Sequence, residues 1–343
     1  MRVLITGGTG LVGRPISERF VRMGWDARVI GAETEFALPG VAYTQCDIRD
    51  VDALAEQVAG CDAIVHLAAI PSTRTHRNET LFNINVAGTY NVFEAASRAG
   101  VKRIAQASSI NAIGGYWGND DRQYDYFPFD EDLPLYTTDA YSLSKQLVEE
   151  IAAYYWRRAG ISSVSFRLPA VWSDATIESR NLRDHLRGRV RQLDEFRRLP
   201  VERQQARLAR AREQALALRA RQVMEYDALQ RGVFEREAPK GDWVFDAWFY
   251  DRFNFWTFIH TEDSTQAFER ALTADYRGAH PLFVNSDQNS LAYETETLLS
   301  LFFPRVTRRS KPLIGAESPV NIARARDLIG FEPQVRTILG YST

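Results

Sequence analysis

Cysteine is nearly absent from this 343-residue chain, which has only Cys46 and Cys61. Both lie beside strand-like runs and neither belongs to a metal-ligand spacing. That argues against a disulfide framework, and buried thiols in a reducing, cytoplasmic setting are expected. The five histidines show no ligand spacing either, so no metal is expected. Charge of one sign is also lacking. The formal balance of −2 gives no global pull toward nucleic acid or an anionic membrane, and neither partner is expected. No apolar run approaches the roughly 20 residues of a spanning helix. The chain enters a strand-like run at Val3, which leaves no room for the charged and apolar regions of a leader, so the start is expected to be uncleaved. There is no internal repeat.

What is present is ordinary globular material, 45% hydrophobic and 25% charged, long enough for one large domain or a domain with a smaller partner. Strand-like runs at Val3 to Thr6, Ala27 to Ile30, Ala63 to Leu67, Ile104 to Ala107 and Val164 to Leu168 alternate with helical stretches. The helices are expected at Pro15 to Met23, Val51 to Val58, Asn83 to Ala99 and Tyr141 to Arg158. Strands separated by crossover helices predict an α/β fold: a doubly wound parallel sheet with ligands at the carboxyl ends of its strands. From about Arg180 to Arg236 the composition shifts to arginine, glutamine, alanine and leucine. Leu208, Ala211, Ala215, Leu218 and Leu229 recur at helical steps there, predicting one long amphipathic helix. It could be a helical pair packed on its own domain with a solvated arginine face, serve as a dimer or lid element, or offer a surface to an anionic ligand. An aromatic-rich stretch, Trp243 to Trp256, follows, and then a strand at Phe258-Ile259, a helix at Ser264 to Leu272, a strand near Leu282 to Asn285 and a helix at Glu294 to Phe302. The expected division is a dinucleotide-binding domain over 1–175, a helical insertion over 176–240, and a smaller substrate-binding region over 241–343, interleaved with the first.

Two local patterns carry chemistry. Thr6-Gly7-Gly8-Thr9-Gly10-Leu11-Val12-Gly13 joins a strand to a helix. Glycines there let the chain turn tightly, bring backbone N–H groups against a pyrophosphate and seat the helix close to the sheet, its positive end facing the phosphates. In Tyr141-Ser142-Leu143-Ser144-Lys145 the tyrosine and lysine share one helix face. A phenol is a poor base at neutral pH unless its anion is favoured, as a neighbouring ammonium and an oxidised nicotinamide would do. Ser108-Ser109 follows a strand, where a hydroxyl can reach the same substrate oxygen, although serines there are often only caps.

Taken in order, these residues resemble the extended short-chain dehydrogenase/reductase family, also called the NAD-dependent epimerase/dehydratase family. The resemblance runs through Gly7, Gly10 and Gly13; Cys46-Asp47-Ile48; His66-Leu67-Ala68-Ala69; Asn85-Val86-Ala87-Gly88-Thr89; Ser108-Ser109; and Tyr141 to Lys145. It continues through Arg167-Leu168-Pro169, Phe258-Ile259-His260 to Asp263, and Ala323-Arg324 to Gly330-Phe331-Glu332-Pro333. It implies a Rossmann-type fold and a catalytic trio: Tyr141 as general acid/base, Lys145 lowering its pKa and holding the nicotinamide ribose, and Ser109 orienting the substrate oxygen. The cofactor set it implies adds Thr9, Leu11, Val12 and Leu67 to the glycines, with Asp47 and Ile48 at the adenine, Ala68 and Ala69 admitting the cofactor, and Pro169 beside the nicotinamide. Asn85 is expected to brace neighbouring elements.

Departures from the pattern shape the remaining expectations. The acid that holds the adenosine ribose is missing from the end of the second strand, where Gly31 stands; Glu33 is its candidate replacement. No Arg or Lys follows to clamp a 2′-phosphate, so NAD is favoured over NADP. Ile110-Asn111 after Ser109 replaces the Asp-Glu pair of sugar dehydratases. The Arg-Asp pair that helps hold a nucleotide-sugar diphosphate is missing before Phe258. Arg74 and His76 in the loop after Ala69, Tyr116 and Trp117 after the serine strand, and Trp256 are candidate substrate contacts; Trp256 fits core packing equally well. The predicted function is hydride transfer at a carbinol or carbonyl of a small sugar-like substrate, in a homodimer. A nucleotide-sugar epimerase and a non-catalytic cofactor-binding sensor or scaffold are the alternatives.

Overall fold

The computed structural model describes residues 1–115, 121–179 and 181–340. Its strands are β1 (Arg2–Thr6), β2 (Asp26–Gly31), β3 (Val41–Gln45), β4 (Ala63–His66), β5 (Arg103–Ala107), β6 (Ser162–Arg167), β7 (Ala170–Trp172), β8 (Phe258–His260) and β9 (Ala279–Phe283). Seven of them form one parallel sheet in the order β3-β2-β1-β4-β5-β6-β9; β7 and β8 pair separately, also in parallel. The chain starts in the middle at β1, winds outward to β3, then returns to β4 and winds the other way. The switch point therefore lies between β1 and β4, where a doubly wound sheet opens a crevice at its carboxyl edge.

Alternation along the strands builds two cores. Val3, Ile5, Val29 and Val65 point to one face, against Ile16 and Phe20 of α1 (Gly13–Arg22) and Phe268 and Ala271 of the helix Thr261–Thr273. Leu4, Ile30, Ile64 and Ile104 point to the other. They meet Leu54 and Val58 of α2 (Val51–Val58), Val92, Phe93 and Ala96 of α4 (Gly88–Ala99), which follows α3 (Asn78–Phe82), and Tyr155 of α5 (Ala140–Ala159). Strands covered on both faces read as continuous apolar runs, which is why the central ones were visible in sequence. The edge strand β3 is largely exposed and polar, and it was not among the runs read.

The Arg180 to Arg236 segment is not one helix. Pro200 lacks a backbone N–H and disfavours helix in Leu199 before it, so the segment breaks into α7 (Leu182–Arg197), after α6 (Asp174–Ser179), and α8 (Val201–Ala220), followed by short helices at Tyr226–Gln230 and Val233–Glu237. Nor is its arginine face wholly solvated. Arg219 is buried, donating to the carbonyls of Gly115 and Phe249 at 3.1 and 2.8 Å and lying over Phe253. Cys46 and Cys61 are buried free thiols, and no described helix is long and apolar enough to cross a membrane.

Candidate active site

The glycine loop is set by contacts that admit no side chain. Gly7 turns with φ +67°, and a Cβ there would lie 2.7 Å from the Ala68 nitrogen; a Cβ on Gly13 would lie 2.4 Å from the Gly7 carbonyl oxygen. These glycines seat β1 against the β4 loop and α1 against the sheet. Gly10 differs, since a Cβ would meet only the Gly7 oxygen at 3.5 Å, and it faces the cleft. The loop thus offers bare backbone at the N-terminus of α1, a fit for a pyrophosphate.

Behind the loop, Thr6 and His66 sit opposite each other across the switch point. The Thr89 hydroxyl gives its proton to the Asn85 carbonyl at 2.6 Å, so it accepts from His66 Nε2 at 2.9 Å. Nδ1 is then the bare nitrogen, accepting from Thr6 Oγ1 at 2.7 Å, while Thr6 Oγ1 accepts from the N–H groups of Leu67 and Ala68. Burial, assisted by the Lys145 charge, lowers the imidazole pKa to about 3, so it stays neutral. Asn85 binds the Ile70 backbone through both ends of its amide and also donates to Ser144 Oγ, bracing the loop after β4 against α5.

At the adenosine end, Gly31 allows the Glu33 side chain to fold back over β2: a Cβ on Gly31 would lie 2.5 Å from Glu33 Oε2. Thr9 Oγ1 donates to Glu33 Oε1 at 2.9 Å, bringing the displaced carboxylate to the edge of the glycine loop. An exposed acceptor there suits ribose hydroxyls and repels a 2′-phosphate. Asp47 is held by Arg49 through its Nε at 3.0 Å, and Ile48 is buried against Gly88.

A cleft of about 580 Å³ runs from this loop to Ser109, Tyr141 and Lys145. Gly7, Gly10, Leu11, Val12, Gly13, Leu67, Ala69 and Pro169 line it together with Ser109, Tyr141 and Lys145; Thr9, Glu33, Asp47, Ile48 and Ala68 are not among its lining residues. Asp139 caps α5, its Oδ1 accepting from the Ser142 N–H at 2.9 Å, which fixes the first turn where Tyr141 sits. Ser109 Oγ accepts from the Asn111 N–H at 3.1 Å, and its hydroxyl is hydrogen-bonded to the Tyr141 phenol. Lys145 Nζ donates to the Ala107 carbonyl at 2.9 Å and stands 5.9 Å from the Tyr141 ring centroid.

The electrostatics depart from the simple expectation that Lys145 lowers the phenol. Burial pushes Tyr141 up to about 12, opposed by the Ser109 hydrogen bond and reinforced by Asp139. Burial also draws Lys145 down to about 8, opposed by the charge of Glu149. Glu149 is itself paired in the interior with Arg167 at 2.8 Å and accepts from Ser108 Oγ at 2.6 Å, so of the two serines Ser108 is engaged in this support and Ser109 is the one bonded to the Tyr141 phenol.

Other predicted contacts lie elsewhere. Trp256 is buried among Phe302 and Phe303, so it is core and not a sugar platform. Arg74 and His76 are exposed outside the cleft lining, because their loop docks on the segment after α8: Thr73 Oγ1 donates to the Met224 carbonyl, and Asn78 to Glu225. Tyr116 and Trp117 lie outside the described residues. In their place the cleft receives Tyr250, Asp251 and Asn254, from the aromatic stretch that follows the insertion, and Asn111. Only the crowding of aromatics hinted at that stretch; no spacing marks it. Among the described residues no cluster of His, Cys, Asp or Glu could hold a metal.

A family model described as the NAD dependent epimerase/dehydratase family matches residues 3–201, more than half of the chain. The chain belongs to that family. A uronate dehydrogenase of Pseudomonas putida is 34% identical over 169 residues, 49% of this chain and 60% of that protein. An L-arabinose 1-dehydrogenase (NAD(P)(+)) of Haloferax volcanii is 30% identical over 172 residues, 49% of this chain and 66% of that protein. The matched part thus spans about 60% of the length of the first of these relatives. In fold, the chain is similar to a short-chain dehydrogenase/reductase superfamily protein from Agrobacterium tumefaciens crystallised with NAD: TM-score 0.61 at 20% identity, covering 97% of this chain and 93% of that one. The epimerase/dehydratase family uses NAD, and both the bare glycine loop and the Glu33 carboxylate suit that cofactor.

Proposed function

We propose that the chain is an NAD-dependent oxidoreductase acting on a carbinol or carbonyl carbon of a small sugar-like molecule, with Tyr141 as general acid/base. The observation that carries this reading is the convergence of Ser109, Tyr141 and Lys145 with the glycine loop in one cleft. In the oxidative direction Tyr141 acts as its phenolate, having released its own proton to solvent: Oη takes the hydroxyl proton while the carbinol C–H bond breaks, its electron pair leaves as hydride and the carbonyl forms. A bound NAD, held by the glycine loop and Glu33, would supply the hydride acceptor and a positive charge that favours the phenolate. Ser109 donates to the phenol and orients the substrate oxygen, Lys145 keeps a positive charge one helical turn away, and the nearly closed interior around α5 excludes water from both. Residues 1–175 hold the cofactor, and 241–343 supply the opposite wall. The exposed Phe82, Tyr90, Leu143 and Tyr154 on α3 to α5 suit a second copy of the chain, which light scattering tests.

Tyr141→Phe is the test. Proton transfer by a positioned group contributes roughly 10²–10⁴-fold, so the variant should lose that much kcat with sugar substrates while binding NADH normally. Unchanged turnover sinks the reading. A nucleotide-sugar epimerase would use the same residues twice; tightly retained NAD, with epimer formation and no net NADH, would favour it instead.

A further inference from the structure

The cleft has a wall that the family motifs do not describe. Tyr250 and Asp251 end the π-turn Ala247–Asp251, and Asn254 ends the 3-10 turn that follows; all three face the cleft that holds Ser109 and Tyr141. Among the described lining residues Lys145 is the one cation, with its ammonium donated to the Ala107 carbonyl, and Asp251 is the one anion. The remaining polar groups are hydroxyls and amides.

Asp251 is held in place. Arg189 of α7, buried and lying over the Trp243 ring, donates to the Trp243 carbonyl at 3.1 Å and sets its Nε 3.4 Å from Asp251 Oδ2. The Asp251 carbonyl accepts from the Trp256 N–H at 3.3 Å, which closes the turn behind it. The same guanidinium also serves Asp246, at 3.8 Å. Burial pushes the Asp251 and Asp246 carboxyls up while Arg189 and His185 oppose that rise, and the Asp251 side chain remains 30% exposed toward the cleft. An ionised carboxylate only accepts hydrogen bonds, and those from hydroxyls to a charged acceptor are short and strong. A carboxylate or diphosphate brought to the same wall meets like charge in a partly dry site.

We propose that Asp251 is a specificity-determining residue that binds a hydroxyl of a neutral aldose or polyol and disfavours anionic sugars such as uronates. The inference rests on the oxidoreductase reading and narrows its substrate class. It also gives the insertion a part: Arg189, carried on α7, holds the carboxylate that the substrate meets.

The experiment uses the full chain and two matched sugar pairs, D-galactose with D-galacturonate and D-glucose with D-glucuronate. Turnover is followed by NADH formation. Binding is followed separately by saturation-transfer NMR on the NADH-loaded protein, which needs no turnover. The wild type should favour the neutral member of each pair. Asp251→Ala should weaken that member by roughly tenfold to a hundredfold, the loss of one hydrogen bond to a charged group, at unchanged NADH affinity. Asp251→Asn, nearly isosteric, should narrow the gap between neutral sugar and uronate. Uronates handled as well as neutral sugars by the wild type, or a pair ratio unmoved in both variants, overturns the proposal. Sugar binding with this pattern but without turnover upholds it and sinks the oxidoreductase reading; binding of no sugar at all overturns both.

Discussion

Glu149 supports the active site from within the interior, and replacing it by glutamine separates its electrical role from its steric one. Its carboxylate accepts from Arg167 Nε at 3.0 Å and Nη2 at 2.8 Å and from Ser108 Oγ at 2.6 Å, and it lies one helical turn beyond Lys145. Two consequences follow. Removing one partner of a buried pair leaves Arg167 uncompensated, at a cost of about 3–5 kcal/mol. At roughly 2 °C per kcal/mol, the melting temperature should fall by about 6–10 °C. The second consequence is catalytic. Burial already holds the Lys145 ammonium near a pKa of about 8, and the Glu149 charge is what resists a deeper fall. Two unit charges about 6 Å apart at an effective dielectric of about 20 interact by roughly 3 kcal/mol, or about 2 pKa units. Lys145 should therefore lose its proton at a lower pH in Glu149→Gln, and freeing Arg167 pushes the same way. If the ammonium is the form that supports Tyr141, activity is lost as pH rises through the Lys145 pKa. The alkaline limb of kcat/KM should move from near pH 8 toward acid by about 1–2 units. Rate profiles over pH with a sugar substrate, read beside a thermal melt, provide the assay. An alkaline limb that stays in place in a variant whose melting temperature has dropped would refute the coupling between Glu149 and Lys145.

Two other substitutions probe assignments made above. Trp256→Ala empties a packed aromatic position and should cost about 3–5 kcal/mol of stability, with KM for sugar unchanged at temperatures where the protein is folded; a selective rise in KM without loss of stability would return Trp256 to the cleft. Glu33→Arg exchanges an acceptor of ribose hydroxyls for a phosphate clamp. It should weaken NAD by roughly tenfold to a hundredfold and improve NADP, seen as a reversed ratio of their KM values; an unaltered ratio would remove Glu33 from the cofactor site.

The half of the protein that was legible in sequence is the half whose instructions are local. A strand, three glycines and a helix lie within one short stretch, and the contacts of Gly7 with Ala68 and of Gly13 with Gly7 make each glycine's purpose readable. Tyr141 and Lys145 share a helix face, so spacing alone put them together. The cleft wall after the insertion is different. Tyr250, Asp251 and Asn254 reach the cleft through π and 3-10 turns whose placement depends on packing against α7 and α8, distant in sequence. Composition equally left Trp256 undecided, because an aromatic ring serves a core and a sugar face with the same atoms. Composition suggested helix from Arg180 to Arg236, while Pro200 divides the segment. The balance at Tyr141 also escaped pattern reading, since burial raises the phenol and the Ser109 hydrogen bond only partly opposes it.

The pairing of β7 with β8 has a consequence for how this protein can be altered. Ala170 lies opposite Phe258 and Trp172 opposite His260, with the Trp172 and Phe258 rings stacked at 5.2 Å. The chain leaves the main sheet through β7 and comes back toward it through β8, and the two strands form a small hydrogen-bonded clasp beside Pro169. The segment is also tied to residues ahead of α5, by Arg219 to the Gly115 carbonyl, by Thr73 to the Met224 carbonyl and by Asn78 to Glu225, so a stretch of a relative grafted between Trp172 and Phe258 leaves the β1 to α5 part undisturbed only where it keeps those contacts.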